Sequence, residues 1–121
     1  MRLVILESPY ASRGGWLRRL FGRWRNRRYA RACVRDALSR GEAPMASHLL
    51  YTQPGILCDQ VPAERQSGID AGLAWGAVAQ ATVVYLDRGI SRGMSYGIAR
   101  AKADGRPVEL RTLARRSPAR A

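Results

Sequence analysis

Residues 3–6, Leu-Val-Ile-Leu, sit in the run "RLVILES" (2–8) with no polar residue alternating through them, and "ATVVYLD" (81–87) repeats the pattern. A strand that is apolar at successive positions is buried on both faces, which is the situation of parallel strands covered by helices on each side. Two further strands are predicted at 43–50 ("APMASHLL"), with Pro44 near its start where a missing donor is tolerated, and at 107–113 ("PVELRTL"). Helical patterns over 25–40, 64–80 and 92–104 fill the intervals, the first stopped by Gly41 and the last by Gly105. Residues 51–64, with two prolines and Gly55, read as a loop, and the glycine-rich helix 64–80 as closely packed. The alternation predicts one α/β domain over 1–113, a parallel sheet of about four strands with the first and third adjacent at its centre, and helices on both faces. Residues 114–121 ("ARRSPARA") read as a disordered basic tail.

In such sheets ligands bind beyond the carboxyl ends of the strands. That rule gathers Glu7, Ser8, Pro9 and Tyr10, then Ser47 and His48, then Asp87 through Ser91. The last group contains Gly89-Ile90-Ser91-Arg92-Gly93, which matches the G-x-S-x-G of a nucleophile elbow between a strand and a helix. An elbow hydrolase needs its histidine downstream of the serine, and His48, the one histidine, lies upstream. Two readings stay open for Ser91: a helix N-cap with glycines for the turn, or a cradle in which Gly89, Ser91, Arg92 and Gly93 hold an anion at a helix N-terminus. His48 reads either as a structural histidine with one partner or as a contact to a base or phosphate. No metal site and no cofactor are expected, because no second histidine or cysteine pair stands at ligand spacing.

Charge narrows the partners. The chain carries 21 basic and 9 acidic residues, a net charge of +12. Nine arginines fall between Arg13 and Arg35 with no acid among them. Localised excess of this kind attracts phosphates, nucleic acid or an acidic partner. Within it, "SRGGWLRRLFGRWRNRR" (12–28) puts Trp16, Leu17, Leu20, Phe21 and Trp24 at helical spacing, with Arg18, Arg19, Arg23 and Arg25 elsewhere on the wheel. It reads as a cationic amphipathic segment of two to three turns, open to three roles: a lid over the cleft, a surface for nucleic acid or an acidic protein, or a contact with a membrane. The longest apolar-rich stretch, 71–86, is too short to span a membrane. Cys33 and Cys58 read as buried free thiols in a cytoplasmic protein, and no signal peptide is apparent.

"RLVILESPY", "SHLLYTQPG", "AGLAWGAVAQATVVY" and "GISRGMSYGIARAKADGRPV" together resemble a small phage and bacterial family of uncharacterised proteins. That family is similar in turn to the nucleoside 2-deoxyribosyltransferases and the deoxyribonucleoside 5'-monophosphate N-glycosidases. The resemblance covers roughly residues 1 to 113 apart from the insert, and implies a Rossmann-like, flavodoxin-like sheet that binds a nucleotide. It places Ser8 at the small polar residue of the first-strand loop, and His48 at a histidine of the glycosidases. Those enzymes attack the sugar with a glutamate in a G-x-E-L-G pattern; here the run is Gly93-Met94-Ser95-Tyr96-Gly97, with Ser95 in the glutamate's place. A serine hydroxyl with no base beside it does not substitute for that carboxylate. Remaining carboxylates for chemistry are Glu7 and Asp87, with Asp70 one turn before the position of the family's second acid. The expectation is a nucleotide-binding protein in which Ser8, Pro9, Tyr10, His48, Gly89, Ser91, Arg92, Gly93, Met94 and Ser95 surround the ligand, with homo-oligomerisation open. The alternatives are an N-glycosidase or transferase working through Glu7 or Asp87, and an interaction module built on the Arg/Trp insert.

Overall fold

The computed structural model describes residues 1–11 and 14–113. The tail expected at 114–121, and Ser12 and Arg13 of the insert, lie outside the described residues. Four strands, β1 (Arg2–Glu7), β2 (Glu42–Met45), β3 (Ala81–Tyr85) and β4 (Val108–Arg111), form one parallel sheet in the order β2-β1-β3-β4. The two most apolar runs are therefore the central pair, as expected, and all five residues of β3 are buried. Pro44 lies on the edge strand opposite Val4, where its missing N–H costs no interior ladder bond. No helix among the described residues is long and apolar enough to cross a membrane.

The helices are α1 (Trp16–Ser39), α2 (Ser47–Leu50), α3 (Pro62–Gly76) and α4 (Arg92–Ala103). α1 buries Ala30, Cys33 and Ala37, small side chains that let it lie close to Val4, Leu6, Ala81, Val83 and Tyr85 of the sheet. Gly41, at φ +79°, takes the left-handed conformation that ends this helix and turns the chain into β2.

Three expectations are corrected. Residues 46–50 do not extend β2: its pairing with β1 ends at Met45 opposite Ile5, although β1 continues to Glu7. The chain closes one helical turn instead, and Leu49 packs onto the core beside Tyr29 and Val34. Second, the cationic segment and helix 25–40 are not separate: α1 runs unbroken through Gly22, which costs about 1 kcal/mol relative to alanine without breaking the ladder. Asn26, buried at the junction, donates to the carbonyls of Tyr10 (3.1 Å) and Ala11 (3.4 Å) and ties the helix to the first loop. Third, only Cys33 is buried, its thiol pushed up to about 12 chiefly by burial; Cys58 is exposed because it lies in the 51–61 loop.

Beyond α1, the same side of the sheet carries charge. Arg111 makes two short bonds to Glu42 (2.7 and 2.6 Å), and a third to Glu109 (3.1 Å); Arg2 bridges Glu42 and Glu109 at 2.7 Å each. Tyr85 donates to Asp36 of α1 at 2.7 Å, joining the network to the helix. The Glu42 and Arg111 side chains are 6% and 7% exposed, whereas Glu109 is 37% exposed. Removing one partner of a buried pair leaves an uncompensated charge, while an exposed pair contributes little. Glu42→Gln is thus expected to lower the unfolding free energy by about 3 kcal/mol, and Glu109→Gln by less than about 1 kcal/mol, in urea titrations at pH 7. Both carboxyls are held below their ordinary range by the arginines, Glu109 at about 2. Their stabilisation is present above the unfolded carboxylate range and is lost as pH falls from about 4.3 toward 2. Acid titration of the two variants should show a shallower loss of stability over that window.

Candidate functional site

The pleat of β1 sorts its side chains. Val4 and Leu6 turn to the core under α1, while Ile5 and Glu7 turn to the side of α3 and α4. On that side α4 packs against β3 and β4, through buried Met94 and Ala101. α3 packs chiefly on α2. The gap between α2, α3, α4 and the end of β1 is a cavity of about 920 Å³, beside the point where the strand order reverses.

Two close approaches shape it. A Cβ added at Gly72 of α3 would lie 2.6 Å from the Ser47 hydroxyl, so that helix can meet α2 only with glycine there. At Gly97 of α4 an added Cβ would overlap the Glu7 carboxyl, which fills the notch left by the missing side chain. Arg106 closes the far end. Its side chain donates to Thr82 Oγ1 (2.9 Å) on β3 and to the carbonyl of Gly76 (2.8 Å), the last residue of α3.

Glu7 is the distinctive group. Among the described residues no hydrogen bond or ion pair holds its carboxyl, and burial pushes it up to about 7 against the opposing pull of Arg106. The other acids on the cavity wall are engaged: Glu64 accepts from the Cys58 N–H (3.0 Å), and Asp59 lies 3.9 Å from Arg65. Beside Glu7, Ser8 Oγ and His48 Nε2 share a hydrogen bond of 2.6 Å. Burial drives His48 down to about 4, so the imidazole is neutral at pH 7 and can accept the Ser8 proton.

Ser91 answers the question raised by its motif. It is the N-cap of α4, in extended backbone (φ −79°, ψ 170°), and its hydroxyl accepts from the Met94 N–H at 3.2 Å. Met94 returns the contact through its sulfur, 3.3 Å from the Ser91 N–H. An unstrained cap with its histidine bonded elsewhere is not a nucleophile elbow. The N–H groups of the following turn still face outward at the positive end of the helix, beside Arg92.

Of the residues expected at the site, Glu7, Ser8, Tyr10, His48, Ser91, Arg92, Gly93 and Met94 line the cavity. Pro9, Gly89, Asp87 and Ser95 do not. Asp87 instead accepts from the Tyr29 hydroxyl (2.6 Å) and the Leu113 N–H (3.0 Å), joining α1 to the segment after β4. Ser95 is exposed: on α4 the cavity side holds 93, 96, 97 and 100, and position 95 lies off that arc. Asp70 is exposed too, accepting from Gln66 (2.9 Å). None of the described residues of α1 lines the cavity. Residues not foreseen are Tyr51, Gly72, Tyr96, Gly97, Arg100 and Arg106. The spacing of Gly68, Gly72 and Gly76 was a legible signal for one wall; nothing in the sequence marks Arg106.

No curated protein and no solved structure matches the chain. Residues 2–111, which hold all four strands and every residue lining the cavity, match DUF7768, a domain of unknown function, and the chain belongs to that family.

Proposed function

We propose that the cavity binds a nucleotide, its phosphate at the N-terminus of α4 and its sugar above Glu7. The observation that carries this reading is an unpartnered carboxyl on the floor of a large cleft at the switch point of a parallel sheet. The arrangement offers what such a ligand needs. Arg92, Arg100 and the first N–H groups of α4 suit a phosphate. Tyr10, Tyr51 and Tyr96 supply faces for a base, and Ser8, His48 and Glu7 supply polar partners for a sugar. The resemblance to deoxyribosyltransferases and nucleotide N-glycosidases supports the same ligand class.

A second reading, cleavage of the N-glycosidic bond, is favoured by Glu7 itself. A carboxyl titrating at about 7 can give its proton to the departing base nitrogen as the C–N bond breaks, and water then adds at the anomeric carbon and returns its proton to the Glu7 carboxylate, yielding free base and sugar phosphate. With Asp87 and Ser95 outside the cavity, that role falls to Glu7 alone among the carboxylates proposed for it.

Binding is tested by thermal shift with nucleoside 5'-monophosphates, the parent nucleosides and inorganic phosphate. Monophosphates are expected to raise Tm most, and Arg92→Ala to weaken them at least tenfold, as a lost charge-assisted contact of about 1.5–3 kcal/mol requires. No stabilisation by any monophosphate at millimolar concentration would overturn the proposal. Chromatography of the reaction mixture for released base tests the second reading, with Glu7→Gln retaining binding and losing release.

Glu7 also has a stability signature. Its folded pKa is raised, so the folded state binds the proton more tightly than the unfolded one. The contribution is intact below about pH 4.3 and is lost as pH rises through about 7. Glu7→Gln is therefore expected to stabilise the protein at pH 8, on the order of 2 kcal/mol, and to have little effect at pH 4. Destabilisation at pH 8 in urea unfolding would mark Glu7 as a structural anchor instead. Gly97→Ala reverses a usual sign: alanine normally stabilises a helix interior by up to about 1 kcal/mol, but here it should destabilise by about 1–3 kcal/mol through overpacking against Glu7 and abolish the ligand shift.

A further inference from the structure

One feature of α1 takes no part in the cleft. At about 100° per residue, Trp16, Leu17, Leu20, Phe21 and Trp24 share an arc of roughly 140°. Each is between 49% and 65% exposed. The same helix buries Asn26, Ala30, Cys33 and Ala37 on a side centred roughly 140° around the wheel, so the apolar arc is turned away from the sheet. Farther along, the outward face continues as Arg28, Arg31 and Arg35, all exposed. The aromatic end is ordered by its own contacts: Phe21 and Trp24 lie 5.8 Å apart, with Arg25 over Phe21 (5.8 Å) and Arg28 over Trp24 (5.6 Å).

We propose that this face of α1 docks on an anionic lipid surface, the Trp/Leu/Phe arc entering the headgroup–acyl boundary and the arginines resting among the headgroups. Charge decides against a second copy of the chain, because α1 carries eight arginines before its first acid, Asp36, and pairing two such helices brings like charges together. Apolar content decides against nucleic acid: Leu17 and Leu20 at the middle of the arc have nothing to contact on a phosphate backbone, whereas an interfacial helix combines such an arc with flanking cations. The helix start fits an anionic surface as well. Gly15 provides no side-chain cap, the first turn holds no acid, and Arg18 and Arg19 stand at the positive end of the dipole.

The test uses the full chain with vesicles of phosphatidylcholine alone and of an equimolar mixture with phosphatidylglycerol. Co-sedimentation with the anionic vesicles only, and quenching of tryptophan by brominated acyl chains that is lost in a Trp16→Phe/Trp24→Phe variant, are expected. Combined Leu17→Ser, Leu20→Ser and Phe21→Ser should weaken binding at least tenfold with unchanged circular dichroism, since all three are exposed. Replacing Arg28, Arg31 and Arg35 with Ser should cost roughly fivefold each. Three results would overturn the proposal: vesicle binding indifferent to the apolar substitutions; duplex or single-stranded DNA binding through the arginines with neither vesicle bound; or a dimer that the apolar substitutions dissolve, again with no vesicle binding.

Discussion

The cleft exists because one guanidinium spans it at the closed end. Arg106 reaches from Thr82 on β3 to the final carbonyl of α3, and its side chain is only 7% exposed. A helix packed directly on a sheet would fill the space above Ile5 and Glu7 with apolar side chains, as α1 does on the other face. α3 is instead held at arginine's length and braced by Ser47 of α2 entering the notch at Gly72. The same guanidinium acts electrostatically. It lowers Glu7, and desolvation still wins, leaving the carboxyl titrating at about 7. Packing and acid–base character therefore share a single residue, and a change there moves both.

Glu7 shows why the wall opposite it must be glycine. A buried carboxyl without a hydrogen-bonding partner costs free energy that the fold elsewhere has to offset. Contrast Glu42 on the other side of the sheet, bonded to two arginines and held below its ordinary range. Two glutamates of one small domain thus shift in opposite directions. Desolvation dominates at Glu7, which meets a bare helix backbone at Gly97, whereas the arginines that converge on Glu42 outweigh its desolvation. A group left in that state at a cleft floor is the kind of group that chemistry uses.

Much of this was legible beforehand, and the reasons are physical. The unbroken apolar runs of β1 and β3 admit no exposed face, so their central parallel pairing followed from composition and order alone. The strand-end rule then gathered Glu7, Ser8, His48 and Ser91 about one opening. What stayed hidden depends on partners remote in the chain. The turn at Ala46 is fixed by α2 packing on α3 and by Leu49 on the core, not by anything in "APMASHLL" itself. Ser95 aligned with a catalytic glutamate by motif spacing, yet helical phase puts it outside the cavity, a difference that one residue of register decides. Arg106 is an unremarkable arginine in a turn until Thr82 and Gly76 are brought to it.

α1 belongs to two systems at once, and its composition reflects both. From Ala30 to Ala37 the residues that meet the sheet include small apolar Ala30, Cys33 and Ala37, the condition for lying close to it. From Trp16 to Trp24 large apolar residues stand outward with no protein surface against them. That first stretch is poorly provided for as an isolated helix: no side-chain cap, no acid in its opening turn, arginines at the wrong end of the dipole, and Gly22 in the middle. Each defect is a small cost, and the described contacts that tie this end of the helix to the domain are polar ones, Arg23 with Gln60 and Asn26 with the loop carbonyls of Tyr10 and Ala11. An anionic, partly apolar surface relieves several together. It neutralises the arginines, complements the dipole and covers the exposed rings. The stability of these turns and the occupancy of their outer face are then one equilibrium, coupled through Asn26 to the loop that carries Tyr10 into the cleft.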